Sequence, residues 1–244
     1  MSNIFKLGKK APRQDKRTFQ FKSYFNTLPP IPTSIDWTGK VPDWGMLGND
    51  TVGDCTCAGA GHLEMTWSSQ TNAETIPTTP QILTAYSAIT GYTPADPNTD
   101  TGADLLTVLN YWRANPIANN SIKAYAQLPL SNLADIRAAI ALFGGVYMGV
   151  QLPDNAEDAF SNGQPWADTT DNNIEGGHCI VLVGYTPQYF TAITWGAKQL
   201  LTPGWFTRYA DEAYAVMSPQ WFNANGTAPS GFNLAQLEAD LQLL

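Results

Sequence analysis

The run from His178 to Tyr185, HCIVLVGY, is apolar and β-branched almost without interruption, and it follows directly on Gly176 and Gly177. Such a run reads as a strand buried in a core rather than one with a wet face. Residues 55–67, CTCAGAGHLEMTW, have the small-residue content and length of a buried helix. Residues 80–90 open with Pro80 at a favourable first-turn position and read as a second helix. Leu105, Val108, Leu109 and Trp112 share one face of a helix over 103–114. A further helix is expected over 131–142. Strands are expected at 145–152, in QYFTAITWG and in DEAYAVM, residues 211–217. Helices dominate the first half and strands the second, which predicts an α+β fold.

The flanks are different. Residues 1–30 form an arm closed by Pro29, Pro30 and Pro32, in which Phe19, Phe21 and Tyr24/Phe25 alternate with polar residues, so part of it is expected to be extended. The tail 223–244 carries Leu234, Leu237, Leu241 and Leu244 at helical spacing behind Asn233 as N-cap. Hydrophobic residues make up 43% and charged residues 14% of the 244, a globular rather than a disordered composition. No stretch approaches the ~20 apolar residues of a membrane span. The start lacks the apolar region of a secretory signal, so a cytoplasmic location is expected. The net charge is −8 and uneven: residues 1–22 hold seven Lys or Arg against Asp15 alone, whereas the rest has six basic and twenty acidic residues. An acidic body disfavours nucleic acid as a partner. The basic arm either lies on that body, reaches an acidic assembly partner, or stays solvated.

Three residues carry candidate chemistry. Cys55 follows a Gly53-Asp54 turn and opens the buried helix, where the partial positive charge of a helix N-terminus favours thiolate and its N–H groups can steady an oxyanion. His178 stands where the Gly-Gly loop enters the buried strand, about 120 residues later, with room for a substrate backbone beside it. That order and separation suit a thiol nucleophile with an imidazole base. Asn49, six residues before Cys55, is either an amide donor to the oxyanion or a turn former. Cys55, Cys57 and Cys179 do not read as a disulfide framework, Cys-x-Cys is poor zinc spacing, and neither metal nor cofactor is expected. His62, two turns along the helix from Cys55, is too far to be its base. The eight tryptophans read as core or cleft wall.

Five segments in order resemble the papain family of cysteine peptidases across roughly residues 31–218: IPTSIDW at 31–37, GNDTVGDCTCA at 48–58, GGVYMGVQL at 144–152, EGGHCIVLVGY at 175–185, and ITWG at 193–196 followed by DEAYAVM. The resemblance implies a papain-like two-lobe fold, with a helical lobe about 31–125 and an antiparallel, β-barrel-like lobe about 126–222. It implies cysteine-type cleavage of peptide or protein substrates by Cys55 and His178, with Asn49 in the oxyanion position. It also exposes departures. The family's orienting asparagine falls on Ile193, which cannot accept a hydrogen bond, leaving Thr194, Asp211 and Glu212 as substitutes and Trp195 as the family's tryptophan beside the histidine. Asp211 and Glu212 are otherwise read as loop-end charges. The family's disulfide cysteine three residues before the nucleophile is Val52, and its long inhibitory proregion is replaced by the basic arm. Two alternatives follow: a non-catalytic papain-fold structural or binding protein, such as a component of a virus particle anchored by residues 1–30, and a related thiol amidase or transpeptidase.

Overall fold

The computed structural model describes residues 5–21, 30–73, 75–231 and 233–235. The first half is helical: α1 spans Cys55–Gln70, α2 Thr79–Thr90 and α3 Leu105–Ala114. All but the last residue of α1 is buried, so it has no solvent stripe. Its glycines explain how. A Cβ on Gly59 would stand 3.1 Å from Cys179 Sγ and 3.2 Å from Tyr147, and one on Gly61 would stand 2.8 Å from Leu47. The helix can thus touch a sheet on one side and a loop and α2 on the other. Helix α2 begins with the Gln81 side chain accepting the Thr78 N–H at 2.9 Å and ends at Gly91, whose φ is 79°. Asp104 caps α3 by accepting the Thr107 N–H.

The second half is a sheet. Its strands are β1 Phe19–Gln20, β2 Ile35–Asp36, β3 Ala124–Gln127, β4 Val146–Pro153, β5 Ile174–Tyr185, β6 Phe190–Thr194, β7 Ala197–Leu201 and β8 Ala210–Met217. Their order is β1-β3-β8-β4-β5-β6-β7, with β2 paired to β5 beyond Gly184. Every pairing is antiparallel except β1 with β3. The sheet stays open and does not close into the expected barrel-like form. Helices α4 Leu133–Phe143, α5 Asn155–Ser161 and α6 Pro203–Tyr209 complete the fold. The run at 178–185 is the buried part of β5, with α1 packed on it.

The expected helices and strands are present within a few residues, and α5, α6, β2, β3 and β7 are additional. Asn233 accepts the Ala235 N–H at 2.8 Å, as a cap would, while Leu237, Leu241 and Leu244 lie outside the described residues. Phe19 lies in β1 as expected of an extended arm, whereas Tyr24 and Phe25 lie outside the described residues. No described helix is long and apolar enough to cross a membrane.

Candidate active site

Cys55 is the first residue of α1 and is 1% exposed. Its thiol faces the backbone N–H groups of Cys179 and Gly8. Burial pushes the thiol up to about 12, against the pull of those two N–H groups, and the neighbouring Asp54 adds to the rise. Asp54 is itself buried at the helix mouth and desolvation pushes its carboxyl up to about 8.

His178 sits on β5 opposite Val150 of β4. Its ring stacks on Trp195, with centroids 4.7 Å apart and planes 24° apart. Its Nε2 lies 2.7 Å from Thr194 Oγ1, and its Nδ1 is buried without a hydrogen-bond partner among the described residues. Burial lowers its pKa to about 3. The sulfur and Nδ1 are not hydrogen-bonded to each other; they belong to adjoining positions, since the N–H that faces the thiol is that of the next residue, Cys179. The Trp195 indole reaches the imidazole through an unusual turn. Trp195 has φ 46° and Gly196 φ 71°, and Gly196 bridges Gly45, where a Cβ would come within 2.9 Å of the Gly45 carbonyl carbon. A bulky residue at positive φ is strained and is held there by its surroundings.

Of the three substitutes named for the orienting position, Thr194 is the one whose side chain meets the imidazole. Ile193 is a buried β6 residue paired with Val181, and the polar group that reaches the imidazole comes one residue later. A hydroxyl accepting from Nε2–H fixes the tautomer whose Nδ1 lone pair is free to act as a base. Asp211 and Glu212 do not reach His178. They are not loop-end charges either: Glu212 is 2% exposed, and both face the ammonium of Lys9. Asn49 is buried, with its amide donating to the carbonyls of Lys6 (3.0 Å) and Val52 (3.1 Å). His62 bonds the Gly45 carbonyl at 3.0 Å, packs edge-on to Trp44, and is lowered to about 4 by burial. Cys57 and Cys179 are buried free thiols. Among the described residues no cluster of three or more His, Cys, Asp or Glu is arranged to hold a metal.

The feature that sequence reasoning missed is what lies over the thiol. Residues 5–10 of the arm run through the cleft. Phe5 stacks on Trp195 at 4.4 Å and meets Phe160 edge-on at 5.4 Å. The Lys6 N–H bonds the Asn49 carbonyl at 3.3 Å. Gly8 passes over Cys55, its carbonyl accepting the Ala103 N–H at 2.9 Å, while the Lys10 N–H returns to the Ala103 carbonyl at 2.9 Å and the Lys9 N–H reaches the Gly177 carbonyl at 3.1 Å. These bonds make Lys9 a parallel bridge partner of Ala103. The approach is too close for side chains. A Cβ on Gly8 would stand 1.7 Å from the Gly53 carbonyl oxygen, one on Gly102 2.0 Å from the Gly8 oxygen, and one on Gly177 2.3 Å from the Lys9 oxygen. A lone glycine in a basic arm, and an Asp-Glu pair near the start of an otherwise apolar strand, were the two signals available.

The fold is that of papain-like cysteine proteases. Xylellain, a cysteine protease from Xylella fastidiosa, superposes with a TM-score of 0.66 at 16% identity, covering 88% of this chain and 97% of that one. The ragweed pollen cysteine protease Amb a 11 in its proform gives 0.58 at 16% identity, covering 83% and 70%. Digestive procathepsin L 3 of the Tenebrio molitor larval midgut gives 0.57 at 15% identity, covering 86% and 76%. No protein-family model matches the sequence, and no curated protein does.

Proposed function

We propose that the chain is a papain-fold cysteine peptidase acting on peptide or protein substrates, its cleft filled by its own arm. The observation that carries this reading is the setting of His178: clamped between the Trp195 indole and the Thr194 hydroxyl, with Nδ1 free, beside the residue whose N–H faces the Cys55 thiol. In the open cleft Nδ1 takes the thiol proton, Sγ attacks the scissile carbonyl, and the imidazolium returns the proton to the leaving amine. Water then enters by the same base to hydrolyse the thioester. The Asn49 amide, which meets the Lys6 carbonyl in the filled cleft, and the Cys55 N–H stabilise the oxyanion. Thr194 acts as a positioning residue on the far side of the ring.

The filled cleft is latent in this reading. Burial favours a neutral thiol and a neutral imidazole, so the nucleophile is not ionised until the arm leaves. The test is labelling with a thiol-trapping peptidyl epoxide in a full chain whose arm has been loosened by Gly8→Ala. Labelling confined to Cys55 among the three cysteines, and lost in His178→Ala, is the expected result. Equal labelling of all three, or labelling of Cys55 that is indifferent to His178, rules the reading out.

A further inference from the structure

Lys9 is the most informative residue in the cleft. Its side chain is 0% exposed, and its Nζ lies 2.8 Å from Asp211 Oδ2, 3.3 Å from Glu212 Oε1 and 3.1 Å from the Lys10 carbonyl. Burying an ammonium is costly unless charge and hydrogen bonds compensate it, and this recess supplies both. The recess is shaped as well as charged. Gly149 of β4 stands against the lysine stem, where a Cβ would lie 2.0 Å from Lys9 Cε, so any larger residue would fill the space. Gln151 donates to Asp211 Oδ2 at 2.5 Å and Tyr214 donates to Glu212 Oε2 at 2.9 Å, which fixes both carboxylates. Among the described residues Lys9 is the one cation in ion-pair contact with either. Without it, two neighbouring carboxylates share a largely buried space, an arrangement that requires a proton or a cation.

The recess also has a position. It opens beside the backbone stretch that crosses the thiol, one residue along from Gly8. We propose that Gly149, Gln151, Asp211 and Glu212 form the selectivity pocket of the cleft, that it takes a lysine side chain of the substrate peptide, and that Lys9 is the internal competitor for it. This rests on the peptidase reading for its substrate, and on the geometry of the recess for its chemistry.

The experiment separates the two. Full chain carrying Gly8→Ala and Lys9→Ala, which vacates the recess, is made with Cys55→Ser for binding and with Cys55 intact for turnover. The binding probe is a fluorescent peptide of residues 5–12 and its counterpart with methionine for Lys9, which keeps length and loses charge. The lysine peptide is expected to bind at least tenfold more tightly, and adding Asp211→Asn with Glu212→Gln removes that difference. Equal affinity for the two peptides overturns the proposal. For turnover, quenched peptides varied at one position among Lys, Met and Glu are expected to show at least tenfold higher kcat/KM for Lys. Cleavage with Cys55 labelling but no lysine preference overturns the pocket and leaves the peptidase intact. Lysine-dependent binding without labelling or cleavage overturns the substrate assignment together with the peptidase reading. Should the vacated chain fail to fold, Asp211→Asn/Glu212→Gln in the otherwise native chain is expected to speed Cys55 alkylation at least tenfold by releasing the arm; an unchanged rate overturns the proposal.

Discussion

Replacing Gly8 by alanine should open the cleft without touching a catalytic group. The new Cβ would stand 1.7 Å from the Gly53 carbonyl oxygen and 2.3 Å from its carbon, both backbone atoms that cannot swing away. The arm must lift, and the bonds from Ala103 N–H to Gly8, from Lys10 N–H to Ala103 and from Lys9 N–H to Gly177 go with it. At about 1 kcal/mol net each, their loss shifts the closed–open balance by about 3 kcal/mol, or roughly 100-fold toward the open form. A ceiling comes from the thiol. Held at about 12 in the closed cleft, Cys55 is ionised to about 10⁻⁴·⁵ at pH 7.5; at an ordinary value of ~8.5 the fraction is about 10⁻¹. The alkylation rate of Cys55 by iodoacetamide, followed by peptide mass spectrometry, should therefore rise between about 10² and 10³-fold. Cys57 and Cys179 serve as internal controls, since both are buried, Cys179 with its sulfur against Gly59 of α1, and should stay slow. A Cys55 rate within a factor of three of the native chain, in a folded variant, would refute the argument that Gly8 is what seals the thiol.

Thr194→Val, in a chain opened by Gly8→Ala, should lower kcat about 10 to 100-fold on any cleaved peptide with little change in KM, and Thr194→Ser should restore most of it, because the loss is of imidazole orientation and not of substrate contact. Stability should fall as pH rises from 6.5 to 8.5. Burial raises Asp54 and Glu64 to about 8, so the folded chain holds protons there that the unfolded chain has released, and their stabilising effect is lost as pH climbs through the folded value. Below about 6.5 the buried His62 and His178, lowered to about 4 and about 3, act in the opposite sense and offset this. Urea denaturation should show a decline on the order of 1–3 kcal/mol across the upper window, roughly halved in Glu64→Gln; a flat profile contradicts the assignment. Gly59→Val should destabilise the fold by about 1–3 kcal/mol, read as a lowered denaturation midpoint, since even a Cβ meets Cys179 Sγ at 3.1 Å and Tyr147 at 3.2 Å.

What could be read in the sequence was whatever depends on local pattern. The buried helix at Cys55 and the buried strand at His178 announce themselves by apolar runs, and their order along the chain placed thiol and imidazole in neighbouring elements. The side chain that meets the imidazole was less legible, because ITWG draws attention to Ile193, whereas it is the Thr194 hydroxyl, just before the left-handed Trp195-Gly196 turn, that lies 2.7 Å from His178 Nε2. Turn conformation at positive φ is not encoded by hydropathy, and a threonine beside a strand end has no distinguishing pattern. Asp211 and Glu212 were misread for a related reason. Their partner is Lys9, some 200 residues away, and nothing local marks a carboxylate as one member of a buried pair. The arm segment Phe5–Lys10 has no periodicity because its hydrogen bonds go to cleft-wall backbone and its neighbours are glycines, which leave no hydrophobic signature.

That glycine lining has a consequence for recognition. Where Gly53, Gly102 and Gly177 bring cleft-wall backbone against arm backbone, the contact is made by N–H and C=O groups that every peptide carries, and what it reads is the missing Cβ of Gly8, which would meet the Gly53 oxygen at 1.7 Å. Larger side chains are read where they meet the cleft wall, as Phe5 and Lys9 do. Phe5 lies against Trp195 and Phe160, an aromatic slot that rewards area and shape. Lys9 lies between two carboxylates in a recess where a neutral side chain would leave like charges facing each other. The second is the stronger discriminator, since a mismatched apolar contact forfeits only buried area, whereas an unpaired buried charge brings the desolvation penalty of the group left behind. A chain that competes for this cleft must displace the arm at the backbone ladder and replace its charge at the recess. Exposing Cys55 and accepting a lysine-bearing peptide are then two aspects of one exchange.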